Sequence, residues 1–308
     1  MPADEEFLEQ ARARWTSIAG DRPALSAAVG LQRVLVERTV EILTSITPDM
    51  ARLLTGPVQL AEKIRCGKPL LHDEILPVPV ELLAPHLSGF CETLARGGAG
   101  DSARHIGDAL REQRLDAGSM LSASLARDQI AFRQGAALLD LSADLLWLVA
   151  ELAAGPFAFV LQEIARESSE IAAAFAKWDR GLCPACGSWP MFVEIVEGCS
   201  RPRCSFCGAS WSHNIDRCGY CDEAGEAFST MIVDRARPGD RLAVCKACRG
   251  YVKVLEFPAP LGFPLLAVED LASSHLDVAA MDRGYQRPTM PSAAGATPRG
   301  CGLWRTGC

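Results

Sequence analysis

Four Cys-x-x-Cys pairs stand between residues 183 and 248: Cys183/Cys186, Cys204/Cys207, Cys218/Cys221 and Cys245/Cys248. Two sulfurs on one tight turn reach a single ion together, and a second turn completes a tetrahedral shell of four thiolates. Eight thiolates make two such shells. The 182 residues before Cys183 contain only Cys66 and Cys91, so the clustering is not a matter of composition.

Sequential pairing is the simplest topology. It places Cys183, Cys186, Cys204 and Cys207 around one ion and Cys218, Cys221, Cys245 and Cys248 around another. The intervening 17 and 23 residues are each long enough for a hairpin that returns the chain to the same ion. An interleaved pairing stays open. Four thiolates suit zinc, a single iron in the rubredoxin manner, or an iron-sulfur cluster, so the ligands alone do not choose the ion.

A glycine after the second sulfur lets the backbone take a positive φ and aims N–H groups at the thiolates. CPACG at Cys183–Gly187 and CSFCG at Cys204–Gly208 have this form; the other two turns carry Asp222 and Arg249 at that place and are expected to depart from it. Cys199 has no partner at turn spacing, His213 is superfluous beside eight paired cysteines, and Cys66, Cys91, Cys301 and Cys308 fall outside the pattern. Trp189, Trp211 and Tyr251 flank the turns and are expected to shield them.

Before the first turn the chain is rich in Ala, Leu, Glu and Arg with Pro and Gly as punctuation, the composition of packed helices. Phe157, Val160, Leu161, Ile164, Ser168, Ile171, Phe175 and Trp178 step by three and four, which predicts one apolar stripe on one helix stopped by Gly181. After Cys183 the texture changes to short β-leaning runs at Met191–Val196, Phe228–Val233 and Tyr251–Leu255. A helix is expected over Val268–Arg283, closed by Gly284, and a Pro-, Gly- and Ser-rich flexible tail from Pro288.

The fold class is therefore a mainly α N-terminal domain (1–181), then two small rubredoxin-like or zinc-ribbon-like modules with short β-hairpins (182–215 and 216–258). A C-terminal helix (259–287) and the tail (288–308) follow. Such modules are too small for a large apolar core, so bound metal supplies much of their folding free energy.

The formal charge of −7 argues against wholesale attraction to nucleic acid, and Cys183–Lys253 carries nine Lys or Arg against eight Asp or Glu, with no basic footprint. The N-terminal MPADEEFLEQ lacks the basic and apolar regions of a secretory signal, which predicts a cytoplasmic protein. The most apolar stretch, Leu145–Leu161, is interrupted by Glu151, Gly155 and Pro156, and no membrane insertion is expected. No phosphate loop, H-E-x-x-H or G-x-S-x-G is present. A metal already held by four thiolates has no open position for substrate, so an enzyme is not expected.

LCPACGSWP (Leu182–Pro190), RCSFCGASW (Arg203–Trp211), DRCGYCDEAG (Asp216–Gly225) and VCKACRGYVKVLE (Val244–Glu256) together resemble the formate dehydrogenase accessory protein family, FdhE. Leu276, Asp277 and Gly284-Tyr285-Gln286-Arg287 extend the likeness; Cys199 and the Cys-bearing end are departures from it. The resemblance implies a cytoplasmic factor for respiratory formate dehydrogenase that binds its catalytic subunit before export. It also implies iron in a rubredoxin-like setting, one redox-capable ion for each four-Cys site, with zinc as the alternative that the ligands allow. The competing readings are a zinc-ribbon adaptor for nucleic acid or another protein, and a thiol-disulfide oxidoreductase using one metal-free turn.

Overall fold

The computed structural model describes residues 4–214, 216–233 and 239–288. The expected tail after Pro288, with Cys301 and Cys308, lies outside the described residues.

Nine α-helices are described in the first half: α1 Asp4–Asp21, α2 Ser26–Ser45, α3 Pro57–Arg65, α4 Val80–Leu94, α5 Gly100–Arg111, α6 Ala117–Leu125, α7 Gln129–Leu139, α8 Ala143–Arg166 and α9 Ser169–Ala176. Their starts follow local chemistry. The side chains of Asp116, Asp128 and Ser142 accept from the N–H of Ser119, Ala131 and Leu145, satisfying donors that a helix start leaves open. Asp140, at φ 53°, ends α7 in the left-handed region that Asp tolerates.

Helix α8 is the axis of this half. Leu146, Val149, Ala153, Phe157 and Leu161 are buried where it packs against α2, α4, α6 and α7. Gly155 and Pro156, which interrupt the apolar run in the sequence, do not interrupt the helix, which runs through both. Proline removes one helical N–H, a local cost that burial on every side outweighs. Helix α8 is long and apolar enough to cross a membrane, and 56% of its most apolar window is buried inside the fold.

The apolar stripe continues through Ile171 and Phe175 on a second helix and Trp178 just past its end, all buried, rather than along one helix. The chain breaks at Glu167 and Ser168, and α9 turns to pack on α3. Gly181 stops no helix, since α9 has already ended at Ala176. Its lack of a side chain has another use: a Cβ there would lie 1.8 Å from the carbonyl oxygen of Gly219.

The second half is built on one five-stranded sheet: β1 Pro190–Val196, β2 Cys199–Cys204, β3 Phe228–Ile232, β4 Arg241–Cys245 and β5 Tyr251–Phe257, in the order β2-β1-β5-β4-β3. β1 and β2 form a hairpin whose two loop residues, Glu197 (φ 50°) and Gly198 (φ 78°), have the positive φ of a type I′ turn. β4 pairs antiparallel with β3 and β5. β1 and β5 pair in parallel from Phe192↔Lys253 to Val196↔Phe257, which joins the two cysteine modules into one sheet.

After β5, the expected single helix is two, α10 Phe263–Ala272 and α11 Ser274–Met281. Ser273 separates them with its hydroxyl donating to the Glu269 carbonyl, and Gly284 (φ 75°) closes α11 as expected. Leu265, Val268 and Ala272 of α10 pack on Trp15 and Ile18 of α1, and Arg14 pairs with Glu269 at 2.7 Å, so the C-terminal helices clasp the N-terminal one.

Candidate functional site

All four Cys-x-x-Cys turns adopt one backbone. The N–H of the first cysteine donates to the carbonyl five residues on: Cys183 to Ser188 (2.8 Å), Cys204 to Ala209 (2.9 Å), Cys218 to Glu223 (2.8 Å) and Cys245 to Gly250 (2.9 Å). The residue after the second cysteine has positive φ in each: Gly187 (80°), Gly208 (66°), Asp222 (65°) and Arg249 (60°). The expected departure of the last two turns is thus absent.

Side-chain contacts accompany the left-handed backbone at both non-glycine positions. Asp222 accepts from the Arg217 guanidinium at 2.8 Å. Arg249 donates to the carbonyls of Gly284 and Arg283 and lies over the Tyr285 ring. Within the turns, backbone N–H groups face the sulfurs: Ala185 donates to Cys183 Sγ, and Phe206 and Cys207 donate to Cys204 Sγ, each at 3.4 Å. Donors so placed offset thiolate charge.

The sulfurs come together sequentially, as Cys183, Cys186, Cys204 and Cys207, and as Cys218, Cys221, Cys245 and Cys248, with all four atoms of each group within 4.8 Å of one another. Their close pairs are 3.7 Å (Cys183–Cys207), 3.4 Å (Cys186–Cys204), 3.6 Å (Cys218–Cys248) and 3.7 Å (Cys221–Cys245). A tetrahedron with metal–sulfur arms of about 2.3 Å has edges of about 3.8 Å, so either group could hold one ion. Cys199 is exposed at the start of β2, Cys91 is buried in the helical core, and Cys66 lies beside Glu62. His213 is apart from the sulfurs, with Nδ1 3.2 Å from the Asp179 carbonyl.

The electrostatics favour a bound cation. Burial pushes the Cys183 and Cys207 thiols well up, and burial likewise raises Cys218 and takes Cys221 to about 11. Cys186 goes the other way: burial opposes ionisation, but donation from Cys183, Cys204 and Cys207 and the charge of Arg127 outweigh it. Four adjacent thiolates need a positive centre, and a soft metal ion is the chemistry that supplies it.

The two groups differ in setting. The first is continuous with the helical core: Phe206 and Trp211 are buried with it, and Leu70 and Leu71 donate to the carbonyls of Pro184 and Ala185 at 2.8 Å. Arg127 is sandwiched between the rings of Trp147 and Phe206 and pairs with Glu151. A Cβ on Gly155 would come within 3.0 Å of the Phe206 carbonyl, which accounts for the glycine in mid-helix. The second group sits at the sheet end, where Cys218 and Cys245 are buried, Cys248 is half-buried and Cys221 is exposed. Trp211 and Tyr251 are buried beside the turns, as shielding requires, and Trp189 packs edge-on against Tyr220.

Behind the fourth turn, residues that carry the resemblance, Tyr251, Lys253, Asp277 and Arg287, come together with Asp270 in one polar cluster. Lys253 on β5 is fully buried, with Nζ donating to the Asp270 carbonyl (2.8 Å) and pairing with the carboxylates of Asp270 (2.8 Å) and Asp277 (2.9 Å). The Tyr251 hydroxyl donates to Asp277, and Arg287 donates to both carboxylates. Burial alone would raise the Asp270 carboxyl, but Arg287 and Lys253 hold it below its ordinary value. On the opposite strand pair, buried Arg203 donates to both oxygens of Glu194 at 2.9 Å and to the Leu261 carbonyl.

No family model matches the chain. Curated relatives do: a protein FdhE homolog of Aquifex aeolicus is 28% identical over 114 residues, covering 35% of this chain and 40% of that protein. One of Pseudomonas aeruginosa is 32% identical over 117 residues, covering 35% and 38%. The chain thus spans about two fifths of the length of the curated relatives it matches. In fold, the crystal structure of the FdhE protein from Pseudomonas aeruginosa aligns over 92% of this chain and 93% of that one, with a TM-score of 0.58 and 21% identity. The resemblance read from the four cysteine turns stands, in sequence over about a third of the chain and in fold over nearly all of it.

Proposed function

We propose that this chain is an accessory factor for the maturation of respiratory formate dehydrogenase, that it binds the catalytic subunit of that enzyme, and that each sulfur group holds one iron or zinc ion. The observation that carries this reading is the pair of four-sulfur groups, built from four superposable turns, in a chain with the FdhE fold. A thiolate-bound iron supplies one-electron redox capacity; zinc would supply structure alone.

This chain's own residues supply the rest of the role. Turn N–H groups neutralise sulfur charge, the helical half packs one site rigidly, and the Lys253 cluster ties the fourth turn to α10 and α11. With all four positions of an ion taken by protein sulfur, no site remains for a substrate, which supports a role without turnover. Residence in the cytoplasm, before export of the partner, belongs to the same reading.

Affinity capture from anaerobically grown cells, using the full chain, tests it. Recovery of the formate dehydrogenase catalytic subunit, with loss of formate dehydrogenase activity in cells lacking this chain, is the expected result. Capture of nucleic acid with a steep salt dependence, or rapid alkylation of one whole turn in the as-isolated protein, would favour the adaptor or the oxidoreductase instead.

A further inference from the structure

The two sulfur groups are alike in geometry and opposite in accessibility. The first has all four cysteines buried, with Cys183, Cys204 and Cys207 at 0% exposure, and its turns are part of the main apolar core. An ion there could leave only if Phe206, Trp211 and the Arg127 sandwich came apart together. The second contributes only Cys218 and Cys245 to the interior, and Cys221 opens onto a cleft of about 740 Å³. Turn 218–221 forms one wall of that cleft, and the segment from Ala174 to Leu182 forms another.

The lining of the cleft also has a chemical sense. It carries four cationic side chains, Arg65, Lys177, Arg180 and Arg217, against the two carboxylates Asp179 and Asp222. A ligand that approaches Cys221 through this opening passes the cationic groups of Lys177 and Arg180, which favour an anionic donor such as a thiolate or carboxylate over a cationic one.

We infer that the two groups have divided duties: the first is a permanent structural centre, and the second is an exchange centre that loads and releases its ion through Cys221 to anionic ligands entering the cleft. Exchange proceeds by ligand substitution. An incoming anionic donor binds the ion as Cys221 Sγ leaves and takes up a proton from water, with no change in oxidation state. Cys248, half-exposed, follows it, and the buried Cys218 and Cys245 release last. The inference rests on the reading of the eight cysteines as metal ligands.

The test uses the full-length protein, isolated without oxygen and carrying its native metal. It is challenged with the anionic chelator 4-(2-pyridylazo)resorcinol while pulses of N-ethylmaleimide are mapped by mass spectrometry. We expect two phases: one ion leaves about tenfold or more faster than the other, as local opening precedes opening of a packed core. Among the eight paired cysteines, labelling should start at Cys221 and stay within the second group during the fast phase, apart from thiols outside the pattern such as Cys199 and Cys66, with the far-ultraviolet helical signal unchanged. A single phase for both ions, or first labelling at Cys183, Cys186, Cys204 or Cys207, overturns the division of duties while leaving metal ligation intact. Isolation of compact protein with no ion and no protected cysteine overturns both readings at once.

A pair of variants gives an independent check. Cys221→Ser should retain the helical signal, keep the first ion and hold the second weakly. Cys186→Ser should lose the near-ultraviolet signal of Trp147 and Trp211 or fail to fold. If Cys221→Ser loses both ions, or if Cys186→Ser keeps its aromatic signal and one ion, the assignment is wrong.

Discussion

Gly181 and Gly219 cross backbone to backbone: a Cβ on Gly181 would fall 1.8 Å from the Gly219 carbonyl oxygen, and one on Gly219 would reach 3.4 Å from the Gly181 Cα. This crossing presses the third cysteine turn onto the segment that leads out of the helical half. Backbone faces backbone, so no side chain can swing aside to admit a methyl group. Gly181→Ala is expected to destabilise the protein by about 3 kcal/mol or more, the scale of a forced overlap in packed structure. Gly219→Ala should cost less than half as much. Denaturant unfolding of both variants checks the ratio; equal costs would deny the crossing its role.

Arg249 holds a left-handed conformation for which glycine is better suited, while its guanidinium caps the end of α11 through the Gly284 and Arg283 carbonyls. The two effects oppose one another. Arg249→Ala keeps the strain and loses the contacts, and is expected to cost about 1–2 kcal/mol. Arg249→Gly loses the same contacts and relieves the strain, so it should be more stable than the alanine variant by about 1 kcal/mol. The comparison needs only urea midpoints measured side by side.

Lys253 is a fully buried cation between two carboxylates, and the cluster is complete only with Arg287 and Tyr251. Lys253→Met leaves Asp270 and Asp277 with one cation between them, and should cost about 3–5 kcal/mol, the usual scale for breaking a buried pair from one side. The Asp270 carboxyl is held below its ordinary value, so its contribution is full above pH about 4 and fades as the pH falls further. The wild type should therefore lose stability steeply in that acid range and Lys253→Met much less so. Parallel slopes would remove the cluster from the account.

His213 is half-buried near the Gly181–Gly219 crossing, and desolvation lowers its pKa despite its contact with the Asp179 carbonyl. Desolvation likewise lowers His86. A histidine that is harder to protonate when folded binds more protons in the unfolded chain, so stability is full above pH about 6.5 and declines as the pH falls below it. His213→Gln should flatten part of this decline. Stability measured between about pH 7.5 and 5 decides the point, and an unchanged slope would count against it.

The sulfur groups were the most legible part of the molecule, because spacing alone dictates which sulfurs share a turn, and short connections favour neighbours. Left-handed backbone could be read at Gly187 and Gly208 but not at Arg249, where contacts with α11, distant in sequence, support it. Strand β2 was hidden by its Arg-Pro-Arg sequence; Pro202 is tolerated because β2 is an edge strand and needs no donor on its outer side. The break at Ser168 carries no proline or glycine, and arises from α9 turning onto α3. Only a serine, without a breaker, divides α10 from α11, so the sequence pattern there reads as one helix. Lys253, Asp277 and Arg287 stand out in the resemblance, but their mutual contact is not legible, because a buried lysine looks like any other until its carboxylates arrive from α10 and α11.

The parallel seam between β1 and β5 has one more consequence. Each sulfur-bearing module supplies one bank of that seam, so excising either would lay bare a raw strand flank able to zip onto a neighbouring copy. The pair must be inherited, grafted or deleted as an indivisible block, even though the ligand spacing reads as two interchangeable cassettes.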